Sequence, residues 1–393
     1  MNNRKPLWFR AAAILLSLTV ALGLDYGVRQ IYLKITYRPL VYKHPQRVPH
    51  RVPHRVPHPV YHHGIEPKRE SEEAIGKYAA PFFSNSLGMK DSKVREVPLK
   101  GDRPRVLLMG DSFTEGIGTA WDKTFAGILA NRLEVEGVEL LNGGTVSYCP
   151  HLIRLRLEDL FQHGLRVDRV VLFFDVSDVF NELQYADTKD GKVRYDEFAP
   201  FQNQAEAIRR INQTNSWLEG TVERNFVILG AISRNLRLLW RSQEKKVGIS
   251  DYDQIPRWAY EWPDYRGPYE KYVEEGLARA RRNMDAIAKD CSQKNVALTV
   301  VVYPWPQQIR RGTREGNGET FWKKWCEEKG VDFISLYPAF LDRGSAAEVI
   351  GRYYWENDCH WNEEGQRLVA ETLFNQHRAA LMPLSLRPGQ GRH

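Results

Sequence analysis

The sequence predicts an α/β fold: a three-layer, doubly wound domain of flavodoxin-like type with a five-stranded parallel sheet and a helical insertion. Three observations predict it. From Gly101 onward, short apolar runs alternate with longer stretches of helical periodicity. Several of those runs contain no polar residue, as strands covered by helices on both faces require. A glycine-flanked turn follows the first run, at the carboxyl edge where open α/β sheets carry their functional groups.

The strands read at 105–109, 138–141, 169–174, 296–303 and 332–335. Helices fit between and after them at 125–136, 152–163, 269–290, 320–329 and 363–374. The span 183–266 breaks this rhythm and is expected as a helical insertion. Its apolar part, 226–240, is interspersed with Arg224, Arg234, Arg237 and Arg241. A cap packed on its own domain is the favoured reading, a helix lying on a bilayer the other.

Upstream, residues 1–6 read as a short cytoplasmic tail and 7–31 as an N-terminal membrane anchor or signal segment. The unbroken apolar or small run Ala11 to Leu24 falls short of the roughly 20 residues that span hydrocarbon, and flanking residues extend it. A cleaved signal peptide competes, although no clean Ala-x-Ala follows the run. Residues 32–80 form a basic, Pro/His-rich linker with the repeat Arg-Val-Pro-His at 47–50, 51–54 and 55–58. Proline at every fourth position removes amide donors and favours extended chain, so a stiff disordered spacer is expected. Its histidines could take up a metal or sense pH, at a cost in chain entropy. The domain proper is expected at 81–380, and a disordered tail at 381–393.

The formal charge of +7 is uneven. Residues 1–60 hold ten Lys/Arg against Asp25 alone, a net +9, which leaves about −2 on the remainder. The basic balance thus describes an arm beside a membrane, not a nucleic-acid surface. Of the four cysteines, Cys291 and Cys326 flank one predicted strand and are the candidate disulfide pair. No spacing suggests zinc. The glycine-rich segment 110–118 lacks the Lys-Ser/Thr of a phosphate loop, so no cofactor or metal is expected.

Chemistry concentrates in two distant segments. Gly110-Asp111-Ser112-Phe113-Thr114-Glu115-Gly116 follows the strand at 105–109, and Asp358-Cys359-His360-Trp361-Asn362 precedes the last helix. A serine hydroxyl is a poor nucleophile until an imidazole takes its proton, and a carboxylate must fix that imidazole's tautomer. Ser112, His360 and Asp358 supply those three roles. Tyr303-Pro304-Trp305-Pro306 lies at the carboxyl end of the fourth strand, so Tyr303, Trp305 and Trp361 are candidate substrate-binding aromatics; a rigid buried turn is the competing reading. Asn362 suits a helix N-cap.

These motifs resemble the SGNH (GDSL-like) hydrolase superfamily, in particular its membrane-anchored bacterial members, over roughly residues 80 to 378. The stretch Asn85-Ser86-Leu87-Gly88-Met89-Lys90-Asp91 adds to the likeness. The resemblance implies that Ser112 is the nucleophile, His360 the base and Asp358 its orienting carboxylate. It also implies an oxyanion site from the Ser112 backbone N–H, the position of Ser147 and the position of Ser177. Three departures stand out. Ser147 replaces the second-block glycine, Ser177 replaces the third-block asparagine, and Asp358 lies two residues before His360 where the family spaces Asp-x-x-His. By the same resemblance the protein is an extracytoplasmic serine esterase or O-acyltransferase of the bacterial cell envelope, anchored at the inner membrane. It would act on an ester, an acetylated glycan, beside a partner membrane acyltransferase. A catalytically silent scaffold in a polysaccharide complex and a lipid or thioester hydrolase are the alternatives.

Overall fold

The structure, a computed structural model, describes residues 7–36, 54–75, 78–187, 193–195, 226, 228, 261–262, 270–312, 317–356 and 358–386. Most of the predicted insertion 183–266 lies outside these residues. So do the repeat's first two units, up to His54 at the end of the second.

Five parallel strands form the middle of the molecule: β6 (Arg105–Met109), β7 (Glu139–Asn142), β8 (Arg169–Phe174), β11 (Ala297–Val302) and β12 (Asp332–Ser335). They lie in the order β7-β6-β8-β11-β12, the doubly wound order expected of a flavodoxin-like sheet. β6 and β8 are buried along their whole length, which is why both read as unbroken apolar runs between their first residues and the turns. Crossover handedness places α3 (Phe125–Glu134) on one face and α4 (Pro150–Gln162) on the other, because the chain reverses direction across the sheet after β7. α3 packs with α11 (Glu363–Gln376). On the other face α4 and α5 (Asp178–Gln184) pack with α6 (Glu270–Gln293).

The sheet is larger than predicted. β3 (Glu70–Ile75), β4 (Tyr78–Ser84) and β5 (Lys90–Asp91) extend it beyond β7 as antiparallel strands, to eight in all. Ahead of them β1 (Arg55–His58) and β2 (His62–Ile65) make a hairpin in the register Arg55↔Ile65 to His58↔His62. The linker boundary at residue 80 is therefore corrected: residues 54–75 and 78–80 lie in strands and the turns between them, with His54, Arg55, His62 and His63 buried. Pro57 fits because a strand in a two-stranded hairpin has an edge that needs no amide donor.

Two further corrections concern the termini and the thiols. The expected tail 381–393 is corrected at its start: Leu381 and Met382 are buried, and the Met382 carbonyl accepts a bond from Arg169 Nε at 2.9 Å. All four cysteines are free; Cys291 and Cys326 are core side chains whose thiols burial pushes up to about 12. At the amino end α1 (Leu7–Thr36) is a 30-residue helix. Among the described residues no helix is long and apolar enough to cross a membrane. Leu15, Leu16, Leu18, Leu24 and Val28 on α1 are exposed, whereas Asp25 is buried and accepts the Ile228 N–H.

Candidate active site

β6 ends at Met109, and the chain turns through Gly110 and Asp111 into the short helix α2 (Ser112–Glu115). A side chain at Gly110 would put its Cβ 2.1 Å from Thr114 Oγ1, so the tight turn needs glycine. Asp111 caps the helix by accepting the Phe113 N–H at 3.0 Å. Ser112 is thus the first helical residue, and its N–H is one of the donors a helix leaves unused. It has no acceptor among the described residues.

The second segment lies between α10 (Ala346–Tyr353) and α11. A bridge between Tyr354 and Trp361 closes it into a loop, and the His360 carbonyl accepts the Trp355 N–H at 3.0 Å. Asn362 caps α11 as expected, accepting from the N–H groups of Glu364 and Gly365. The structure brings the three predicted residues together. The Ser112 hydroxyl lies 2.7 Å from His360 Nε2, and His360 Nδ1 lies 2.5 Å from Asp358 Oδ1. The same carboxylate oxygen accepts the His360 backbone N–H at 2.8 Å. A spacing of two residues therefore brings Asp358 to Nδ1 here, with both bonds made within one turn.

Burial alone would disfavour the His360 imidazolium. The adjacent Cys359 and the Asp358 carboxylate outweigh it and hold His360 well above the ordinary histidine value. Burial opposes the Asp358 charge too, but the bonds to His360 win and keep its carboxyl low. With a proton on Nδ1 directed at Asp358, Nε2 faces the serine as acceptor, which is the arrangement of a general base.

The two other oxyanion positions differ from each other. Ser147 follows β7 in a loop packed on α2, so closely that a Cβ on Gly144 would lie 2.4 Å from the Glu115 nitrogen. Its φ is +62°, the left-handed region, and its N–H has no acceptor among the described residues. Ser177 starts α5; its N–H donates to Asp175 Oδ1 at 2.7 Å and its hydroxyl lies 3.2 Å from Asn181 Oδ1. Both Ser177 donors are thus engaged, one by Asp175 ahead of α5 and one by Asn181 on it.

The assignment of Tyr303, Trp305 and Trp361 to substrate is corrected. They are 1 %, 5 % and 0 % exposed. Their rings surround Phe113, whose centroid is 4.9 Å from Tyr303 and from Trp361 and 4.7 Å from His360. The Tyr303 hydroxyl donates to Asp111 at 3.2 Å and Trp305 Nε1 donates to Asp175 at 2.7 Å. They form a buried floor that carries Phe113 and, through it, His360.

Beneath that floor lie three buried carboxyls, Asp111, Asp175 and Asp178. Burial pushes each above the usual carboxylate range, and for Asp111 and Asp178 the nearness of Asp175 adds to it. Sequence reasoning did not single out this cluster.

It also missed Lys90, which sits in the stretch 85–91, read only as adding to the likeness. The Lys90 ammonium donates to Glu73 and to the carbonyls of Gly116 and Thr119, tying down the chain that leaves the nucleophile helix. Two sets of side chains lie close enough to share a cation among the described residues. Asp358, Cys359 and His360 already serve one another, and His54, Glu73 and Glu115 face Arg55 and Lys90, which balance the two carboxylates.

No family model matches the chain, and no curated protein matches it closely. Among solved structures it is similar to a member of the lipolytic G-D-S-L family from Veillonella parvula (12 % identity over 70 % of this chain and 98 % of the other, TM-score 0.35). It is similar also to the esterase EstA from Pseudoalteromonas sp. (10 %, 70 % and 96 %, TM-score 0.36) and to a GDSL-like lipase from Bacteroides thetaiotaomicron (11 %, 72 % and 93 %, TM-score 0.35). By its own strand order, Gly-Asp-Ser turn and Ser112–His360–Asp358 geometry, the chain has the fold of the SGNH (GDSL-like) hydrolases.

Proposed function

We propose that the protein is a serine esterase or O-acyltransferase that forms an acyl-enzyme at Ser112. The observation that carries this reading is the unbroken hydrogen-bonded line from the Ser112 hydroxyl through His360 to Asp358. His360 takes the serine proton as Oγ attacks the ester carbonyl. The tetrahedral oxyanion is met by the N–H groups of Ser112 and Ser147, each such donor worth roughly 3 kcal/mol to the transition state. The leaving alcohol departs with the proton from His360, and water or a sugar hydroxyl then takes the acyl group by the same steps in reverse.

The substrate we propose is an O-acetylated glycan outside the cytoplasm, with the exposed apolar residues of α1 holding the protein to a membrane near an acyltransferase partner. This rests on the resemblance of the motifs to anchored envelope proteins and on the arm's +9 charge beside the apolar run.

Acetate release from 4-nitrophenyl acetate by the full chain, beside its Ser112→Ala variant, tests the chemistry. Ser112-dependent turnover is expected. Equal rates from two folded proteins would end the esterase reading and favour a silent scaffold, for which the engaged donors of Ser177 are the supporting observation.

A further inference from the structure

The Pro/His arm reaches the active site. His63, on β2, donates from Nε2 to the Val146 carbonyl at 2.9 Å. The Val146 carbonyl and the Ser147 N–H belong to one peptide group, which is planar and trans, so they point in opposite directions. Fixing one fixes the other. Glu115 on α2 holds the preceding peptide by accepting the Val146 N–H at 2.8 Å, and its other oxygen takes a bond from Arg55 of β1 at 2.6 Å. The arm thus grips the loop both directly and through α2.

This peptide has reason to need a grip. Ser147 sits at φ +62°, which costs a residue with a Cβ about 1–2 kcal/mol. Flipping the Val146–Ser147 peptide would relieve that strain and turn the Ser147 N–H away from the site. The bond from His63 opposes the flip. His63 is itself built in: it is fully buried, its carbonyl accepts the Tyr148 hydroxyl at 2.7 Å, and its Nδ1 lies 3.0 Å from His62 Nδ1. Donation from Nε2 leaves Nδ1 as acceptor for His62, so one neutral tautomer satisfies both contacts.

We propose that His63 is a positioning residue of the oxyanion site: it holds the Val146–Ser147 peptide so that the Ser147 N–H faces the developing oxyanion. The N-terminal hairpin is then a working part of the active site and not a spacer. The inference rests on the reading of Ser112 as nucleophile and Ser147 as oxyanion donor.

The test uses the full chain in mild detergent, with 4-nitrophenyl acetate as substrate and an alkyl trifluoromethyl ketone as probe of the tetrahedral adduct. His63→Phe keeps a ring but removes the donor. It should lower kcat roughly 10- to 100-fold, below the 100- to 1000-fold typical of deleting a donor outright, with KM shifted far less. The Ki of the ketone should rise by the same factor as kcat/KM falls, a correlation that a merely structural role would not produce. His63→Gln, whose amide can donate to Val146, should recover part of both. If His63→Phe does not fold, Tyr148→Phe, which frees the His63 carbonyl, decides the matter and should show a smaller loss with the same correlation. Wild-type kcat and Ki in His63→Phe, with Ser112→Ala inactive, would overturn the role of His63 alone. A kcat loss without a matching change in Ki would overturn it as well. Full turnover by Ser112→Ala would remove the underlying esterase reading instead.

Discussion

His360 sets the pH behaviour of the site. Its folded pKa lies well above the ordinary histidine value of about 6.5, because Cys359 and the Asp358 carboxylate overcome burial. The base form that can accept the serine proton is present only above that raised pKa. The rate kcat/KM should therefore climb with pH along a limb above the ordinary histidine range and level off on its alkaline side. Asp358→Asn removes a group that raises the pKa and also the acceptor that fixes the tautomer. It should move the limb to lower pH and reduce kcat by roughly 1000- to 10000-fold. A pH–rate profile of both proteins reads the two effects together. An Asp358→Asn limb at the wild-type position would mean that the titrating group is not His360.

Elements whose signals are local were legible in the chain. The run 105–109 and its glycine turn, and Asn362 ahead of the last helix, are sites where neighbours in sequence decide the conformation. The β1–β2 hairpin was not legible, because its partners are remote: Glu115 lies 60 residues from Arg55, and Val146 83 from His63. Locally, a Pro-rich repeat with periodic arginines carries the marks of a solvated spacer. Tyr303 and Trp305 failed for a related reason. An aromatic turn at a sheet edge can meet a substrate or seal a floor, and here the acceptors Asp111 and Asp175, on other strands' ends, decided for the floor.

The contact between the β7 loop and α2 offers a test at this scale. In Gly144→Ala the new Cβ would lie 2.4 Å from the Glu115 nitrogen and 2.6 Å from the Thr114 carbonyl carbon, both backbone atoms with no rotamer to give. The loop must move off α2, at a cost of about 1–3 kcal/mol or more. A lower Tm together with a kcat loss larger than any change in KM is the expected pair. An unchanged kcat would show that the loop's seat on α2 does not set the oxyanion geometry.

At the scale of the whole molecule the N-terminal 65 residues divide into two parts with different work. α1 presents exposed Leu15, Leu16, Leu18 and Leu24, while the hairpin after it buries His54, Arg55, His62 and His63 and bonds to Glu115 and Val146. Attachment and catalysis should therefore separate at a cut between them, and only there. A chain beginning at residue 54 keeps Arg55 on Glu115 and His63 on Val146. It should hydrolyse 4-nitrophenyl acetate at a rate close to that of the full chain, yet stay in the supernatant when spun with anionic phospholipid vesicles that carry the full chain down. A chain beginning at residue 67 loses the hairpin. It leaves Glu115 buried without Arg55, and breaking a buried ion pair from one side typically costs about 3–5 kcal/mol. That chain should be less stable and should lose most of its turnover, as read by thermal melting and the same assay. Full activity in the shorter chain would make everything before residue 67 a tether, and vesicle binding by the chain from residue 54 would place the membrane contact elsewhere than on α1.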